Sequence, residues 1–99
     1  MIYALIGHDK PDSLASRMAV RDEHLARLNE LKAQARLLMA GPFPAIDSPD
    51  PGPAGFSGSL VIAEFPSLAD AEAWLADDPY TRTGVFVRTE VRPYKKVLP

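Results

Sequence analysis

Four apolar runs of strand character are interleaved with two amphipathic helices, and their order, βαββαβ, most narrows the folds open to this chain. Met1–Ile6 reads as a strand bounded by Gly7, and Asp9–Ser13 as a turn. Pro11 or Ser13 can open a short helix through Arg17 and Met18. Arg21–Leu38 then reads as a long helix. At about 100° per residue, Leu28, Leu31 and Ala35 form its apolar stripe, with Leu25 alongside. Leu37–Phe43 reads as the second strand, its pairing ended by Gly41-Pro42. Gly58–Phe65 is the third and clearest strand. Ser67-Leu68-Ala69-Asp70 has the form of a capping box, opening a helix whose inner face is Leu68, Ala71, Trp74 and Leu75. Asp77-Asp78-Pro79 ends it. Val85–Tyr94 is the fourth strand, with Val85, Val87, Thr89 and Val91 alternating against Phe86, Arg88, Glu90 and Arg92. The order predicts an α+β, ferredoxin-like fold: a four-stranded antiparallel sheet with both helices on one face.

Helices on one face leave the other uncovered, yet strands one and three are apolar on both sides. Ile2, Ala4 and Ile6 oppose Tyr3 and Leu5; Leu60 and Ile62 oppose Val61, Ala63 and Phe65. An apolar sheet face in water is unusual for a monomer, so a two-fold partner stacking its own sheet there is expected. A long loop folded across the sheet is the competing explanation. The chain has such a loop in Gly41–Gly58, where nine of eighteen residues are Pro or Gly. Phe43, Ile46 and Phe56 could anchor it as a rim or lid, or it could be a passive hairpin connection.

Length allows one domain over residues 1–99. The absence of cysteine removes disulfides, thiol nucleophiles and thiolate zinc sites. A net charge of −2 with scattered basic residues offers no footprint for nucleic acid. The first apolar run is too short for a signal peptide or membrane span, so the expected location is the cytoplasm.

His24 is the residue that invites chemistry. It projects between Leu28 and Leu31, on the side of the helix that packs. An imidazole there needs a polar partner and titrates near neutral pH. It is either a satisfied helix histidine or a general acid–base, and a carboxylate on its far nitrogen would favour the second role. Asp78 is the best candidate carboxylate, although Asp before Pro79 is also a good N-cap; Asp77 is expected to face solvent. Arg17 and Arg21 could bind an anionic substrate or simply be solvated. His8 and Asp9 could border a pocket after strand one, with a surface turn as the plainer reading. Ser57, Ser59 and Tyr80 offer hydroxyls without a nucleophile-elbow pattern. Metal-ligand spacing and a glycine-rich phosphate loop are both missing, so no metal and no cofactor are expected.

Several segments in this order resemble the YciI-like family of small bacterial proteins over nearly the whole chain. They are His8–Ser13, Val20-Arg21, His24–Leu28, Leu37–Pro42, Pro49–Gly52, Ala54–Phe56, Val61–Phe65, Asp78–Tyr80 and the Lys95-Lys96 tail. The resemblance implies a dimeric α+β barrel and a homodimer. It also implies that the family's histidine and aspartate fall on His24 and Asp78 at the centre of an active site. Gly41, Pro42 and Gly58 would shape the pocket, with Arg21 and the turn around His8 contributing. The superfamily includes isomerases and dehalogenating enzymes of aromatic breakdown, which implies cofactor-free acid–base proton transfer on a small-molecule substrate, as in an isomerase, lyase or dehalogenase. The alternative is a non-catalytic dimeric module that binds a metabolite or a protein.

Overall fold

In the computed structural model, which describes residues 1–99, β1 (Ile2–Asp9) buries Tyr3, Leu5 and Gly7 on one face. Ile2, Ala4, Ile6 and His8 point to the other. The remaining strands are β2 (Leu37–Pro44), β3 (Phe56–Glu64) and β4 (Phe86–Tyr94), assembled as β2-β3-β1-β4 with every pair antiparallel. Helices α1 (Leu14–Ala33) and α2 (Leu68–Ala76) and a single turn, α3 (Pro79–Arg82), complete a ferredoxin-like α+β fold. One core lies between helices and sheet. Leu28 and Leu31 of α1, Ala71 and Leu75 of α2, and Tyr3, Leu5, Val61 and Ala63 of the sheet all belong to it.

Several boundaries differ from those the pattern suggests, each for a local reason. The two helical stretches before β2 are one helix beginning at Leu14, and it stops at Ala33 rather than Leu38. Ala35 adopts a left-handed conformation, φ 57°. Its N–H donates to the Lys32 carbonyl and that of Arg36 to the Leu31 carbonyl, which closes the helix as a Schellman motif. Glycine usually marks that position; alanine there hides the stop. Ala35 is therefore exposed and off the apolar stripe, while Leu37 and Leu38 belong to β2.

β2 runs through Gly41-Pro42 to Pro44 because it is an edge strand, where a proline costs no ladder hydrogen bond on its outer side. The long loop shrinks accordingly to residues 45–55, closed by Ala45 N–H donating to the Gly55 carbonyl and containing a 3₁₀ turn at Gly52–Ala54. Phe43 and Ile46 are exposed, so neither anchors a lid; Phe56 alone is half-buried. In β4 a register shift opposite His8 and Asp9 interrupts the alternation, burying Val85 and Phe86 together and exposing Val87.

The sheet face away from the helices carries Ile2, Ala4, Ile6, Leu60, Ile62, Met39 and Phe43, with Arg88, Glu90 and Arg92 of β4 at one side. No part of the chain folds over it. No helix is long and apolar enough to cross a membrane.

Candidate active site

The site grows from one stripe of α1. Arg17, Arg21, His24 and Leu28 recur at helical spacing, so all four face the sheet or its margin. α3 meets them from the other side. Asp78 caps it, accepting the Tyr80 N–H at 2.9 Å, and Pro79 occupies the first helical position. This short capped turn delivers a carboxylate with 0% exposure to His24.

His24 Nδ1 donates to Asp78, lying 3.0 Å from Oδ1 and 2.9 Å from Oδ2. Arg27 Nη1 adds a third donor at 3.2 Å, while its guanidinium lies 4.3 Å from the Trp74 ring centre. The carboxylate, as acceptor, orients the imidazole with its proton on Nδ1. His24 Nε2 makes no hydrogen bond and is not sealed from solvent. Tyr80 stacks on the imidazole, ring centres 4.1 Å apart and planes within 20°. Asp77, by contrast, faces solvent, paired only loosely with Arg82.

Beside His24 lies a cavity of about 210 Å³ between α1, β2 and β3. Its apolar lining includes Leu25, Leu28, Leu60 and Val61; its polar groups come from Arg17, Arg21, His24, Ser59 and Tyr80. Arg17 is 5% exposed and is held through Nε and Nη2. Its Nε reaches Asp9 Oδ2 at 2.6 Å; its Nη2 reaches Asp9 Oδ1 at 3.0 Å and the Gly58 carbonyl and Ser59 Oγ at 2.8 Å each. Ser13 Oγ also donates to Asp9, at 2.5 Å. Arg21 is exposed at the rim and has no ion pair or hydrogen bond. Burial raises the Tyr80 phenol above its ordinary range; Arg17 opposes this, Asp78 adds to it and Arg21 opposes it more weakly.

The structure thus brings His24, Asp78, Arg21, Gly41 and Pro42 to one place. Gly58 is adjacent rather than lining: a Cβ there would collide with the Gly7 carbonyl, and its own carbonyl anchors Arg17. His8 is elsewhere. Strand alternation turns it to the open sheet face, where its Nε2 lies 3.2 Å from Glu90 and 3.0 Å from Arg88. Sequence reasoning missed Arg27 on Asp78, although it lies one turn after His24 on the same helix. It also placed Asp9 in a turn, whereas Asp9 closes β1 and is buried under Arg17. No three His, Asp or Glu side chains are grouped to hold a metal ion.

Residues 1–95 match the family model described as the YCII-related domain. The chain is 56% identical over 98 residues to Protein YciI of Escherichia coli O6:H1 strain CFT073, covering 99% of this chain and 100% of that one. It is 52% identical, with the same coverage, to an uncharacterized protein of Haemophilus influenzae strain KW20. Among solved structures it is similar to 5-chloro-2-hydroxyhydroquinone dehydrochlorinase (TftG) from Burkholderia phenoliruptrix AC1100, in complex with 2,5-dihydroxybenzoquinone. That likeness has a TM-score of 0.84 at 29% identity, over 96% of this chain and 94% of the other.

Proposed function

The chain belongs to the YCII-related family, and from that premise we propose that it is a small-molecule enzyme in which His24 transfers a proton while Asp78 orients it. The observation that carries this reading is the His24–Asp78 contact of 2.9 Å, with Nε2 left free of protein partners beside a cavity. An imidazole held in that tautomer is a base at Nε2, and once protonated it is stabilised by the carboxylate behind it. Such chemistry needs no cofactor.

The substrate class follows from the cavity and the fold relative. A cavity on the order of 150 Å³ holds a benzene ring, and this one measures about 210 Å³ with largely apolar walls. TftG is by name a dehydrochlorinase of a chlorinated hydroxyhydroquinone and was captured with a dihydroxybenzoquinone. A small hydroxylated ring fits both facts. Unpaired Arg21 at the rim supports an anionic group on it. Removal by His24 of the proton on a saturated carbon beside a carbonyl, in the keto tautomer of such a ring, followed by reprotonation elsewhere or loss of a leaving group, is the reaction type. A homodimer belongs to the same reading, with a second copy laying its sheet on the apolar face that no part of this chain covers.

The test is chloride release from 5-chloro-2-hydroxyhydroquinone, together with calorimetric binding of 2,5-dihydroxybenzoquinone. His24→Ala should leave the fold and the oligomer intact and lower turnover by about 10² to 10⁴-fold. A second reading has one observation behind it: with three donors on Asp78, the pair also has the form of a structural lock. If His24→Ala chiefly lowers the melting temperature and leaves ring binding unchanged, the non-catalytic binding module is correct. Light scattering on Ile6→Glu should show a monomer where the parent is a dimer.

A further inference from the structure

The proton-transfer reading leaves one buried titratable group of the cavity without a task. Tyr80 is 2% exposed, lines the cavity and stacks on His24. Its backbone N–H is engaged with Asp78, yet its hydroxyl donates to no protein acceptor and is not sealed away. Phe86 packs edge-on against the ring at 5.6 Å and the Arg17 guanidinium lies 4.8 Å from its centre, so the ring cannot swing without disturbing the core. The side chain is held, and its hydroxyl, beside the Arg17 guanidinium, keeps its proton free to donate.

We propose that the Tyr80 hydroxyl is a catalytic hydrogen-bond donor to the substrate oxygen on which negative charge develops when His24 removes a proton. This deepens the reading given above and rests on it. As the base takes a proton from the saturated carbon beside a ring carbonyl, in the keto tautomer of such a ring, the electron pair of the broken C–H bond is delocalised onto that carbonyl oxygen as an enolate. Tyr80 O–H hydrogen-bonds that oxygen, and no bond to tyrosine breaks. A fixed donor aimed at developing charge in a site shielded from water is a strong source of transition-state stabilisation.

The surroundings suit a donor rather than a base. Burial holds the proton on the phenol at any ordinary working pH, and Asp78 helps. Asp9, Gly58 and Ser59 hold the Arg17 guanidinium in place through Nε and Nη2. It acts as a fixed positive charge beside the hydroxyl. Arg21 supplies a second, mobile one at the rim. The cavity therefore selects oxygen ligands that bear, or gain, a single negative charge next to an apolar ring.

The experiment uses 4-nitrophenol, whose absorbance reports its own ionisation, with nitrobenzene as the matched probe lacking a hydroxyl. The intact protein should bind the phenolate in preference to the phenol. Tyr80→Phe keeps the ring stack and should weaken phenolate binding by on the order of tenfold or more, while nitrobenzene affinity and circular dichroism stay unchanged. If the phenolate preference survives in Tyr80→Phe and vanishes in Arg21→Gln or His24→Gln, those side chains hold the charge and the proposal fails. It fails equally if the intact protein binds 4-nitrophenol only as the neutral phenol, or not at all. Chloride release that depends on His24, beside a phenolate preference that ignores Tyr80, would sink this inference and leave the proton-transfer reading standing.

Discussion

The chain has two histidines, each within 3.2 Å of a carboxylate, and they sit in opposite physical settings. His8 and Glu90 meet on the open sheet face with their side chains 37% and 34% exposed, and Arg88 competes for the same ring nitrogen. His24 and Asp78 meet at 10% and 1%, with the carboxylate gripped by a helix-cap N–H and an arginine. Exposure lets water screen the first pair and lets its side chains reorient. Burial and a full set of donors make the second a preorganised unit with one nitrogen free. The contrast teaches that the residue pair is not the site; the site is the pair together with the low dielectric and the scaffold that holds it.

The sharpest way to break the comparison is to remove each carboxylate. Asp78→Ala leaves His24 and Arg27 without their acceptor and uncaps α3, so a loss of about 3 kcal/mol or more is expected in urea unfolding. Glu90→Ala should stay within about 0.5 kcal/mol. Equal effects would show that the buried pair has no special status. Next is activity: His8→Ala should change chloride release less than about twofold, against the loss of about 10² or more expected for His24→Ala.

Arg17 and Asp9 form a second buried pair that sharpens the point. Arg17→Met alone should destabilise by about 3 kcal/mol, because the buried Asp9 carboxyl is left without its ion-pair partner. Arg17→Met with Asp9→Leu should recover most of that, as a double-mutant cycle would reveal. The smallest effect concerns Tyr80. Its folded phenol holds the proton more tightly than the unfolded one, so its contribution is complete below the ordinary tyrosine value of about 10 and is lost as pH rises past it. Stability measured upward from about pH 10 should therefore fall more steeply in the parent than in Tyr80→Phe.

Much of the fold was legible because hydrophobic periodicity is a local property. The strand–helix order, the helix cap at Ser67 and the packing side of His24 follow from spacing, and each is seen in the structure, although Asp70 accepts from the Ser67 hydroxyl rather than completing the box at the Ser67 backbone N–H. The end of α1 was not legible, because Ala35 occupies a position where glycine normally signals the stop. Nor was the depth of Arg17 and Asp9. Charged residues near a helix start are usually solvated, and only a partner from a different element reverses that expectation.

The sequence by itself determined that this chain builds a one-sided sheet and aims an imidazole into the helix–sheet seam, since side-chain direction follows backbone period. Tertiary structure alone decided that Asp78, 54 residues away, meets that imidazole. It also decided that Tyr80 and Arg21 share its cavity, and that His8 belongs to the other face. The physical reason is range. Periodicity acts over a few residues, whereas burial, ion pairing and cavity shape depend on which distant elements the core brings into contact.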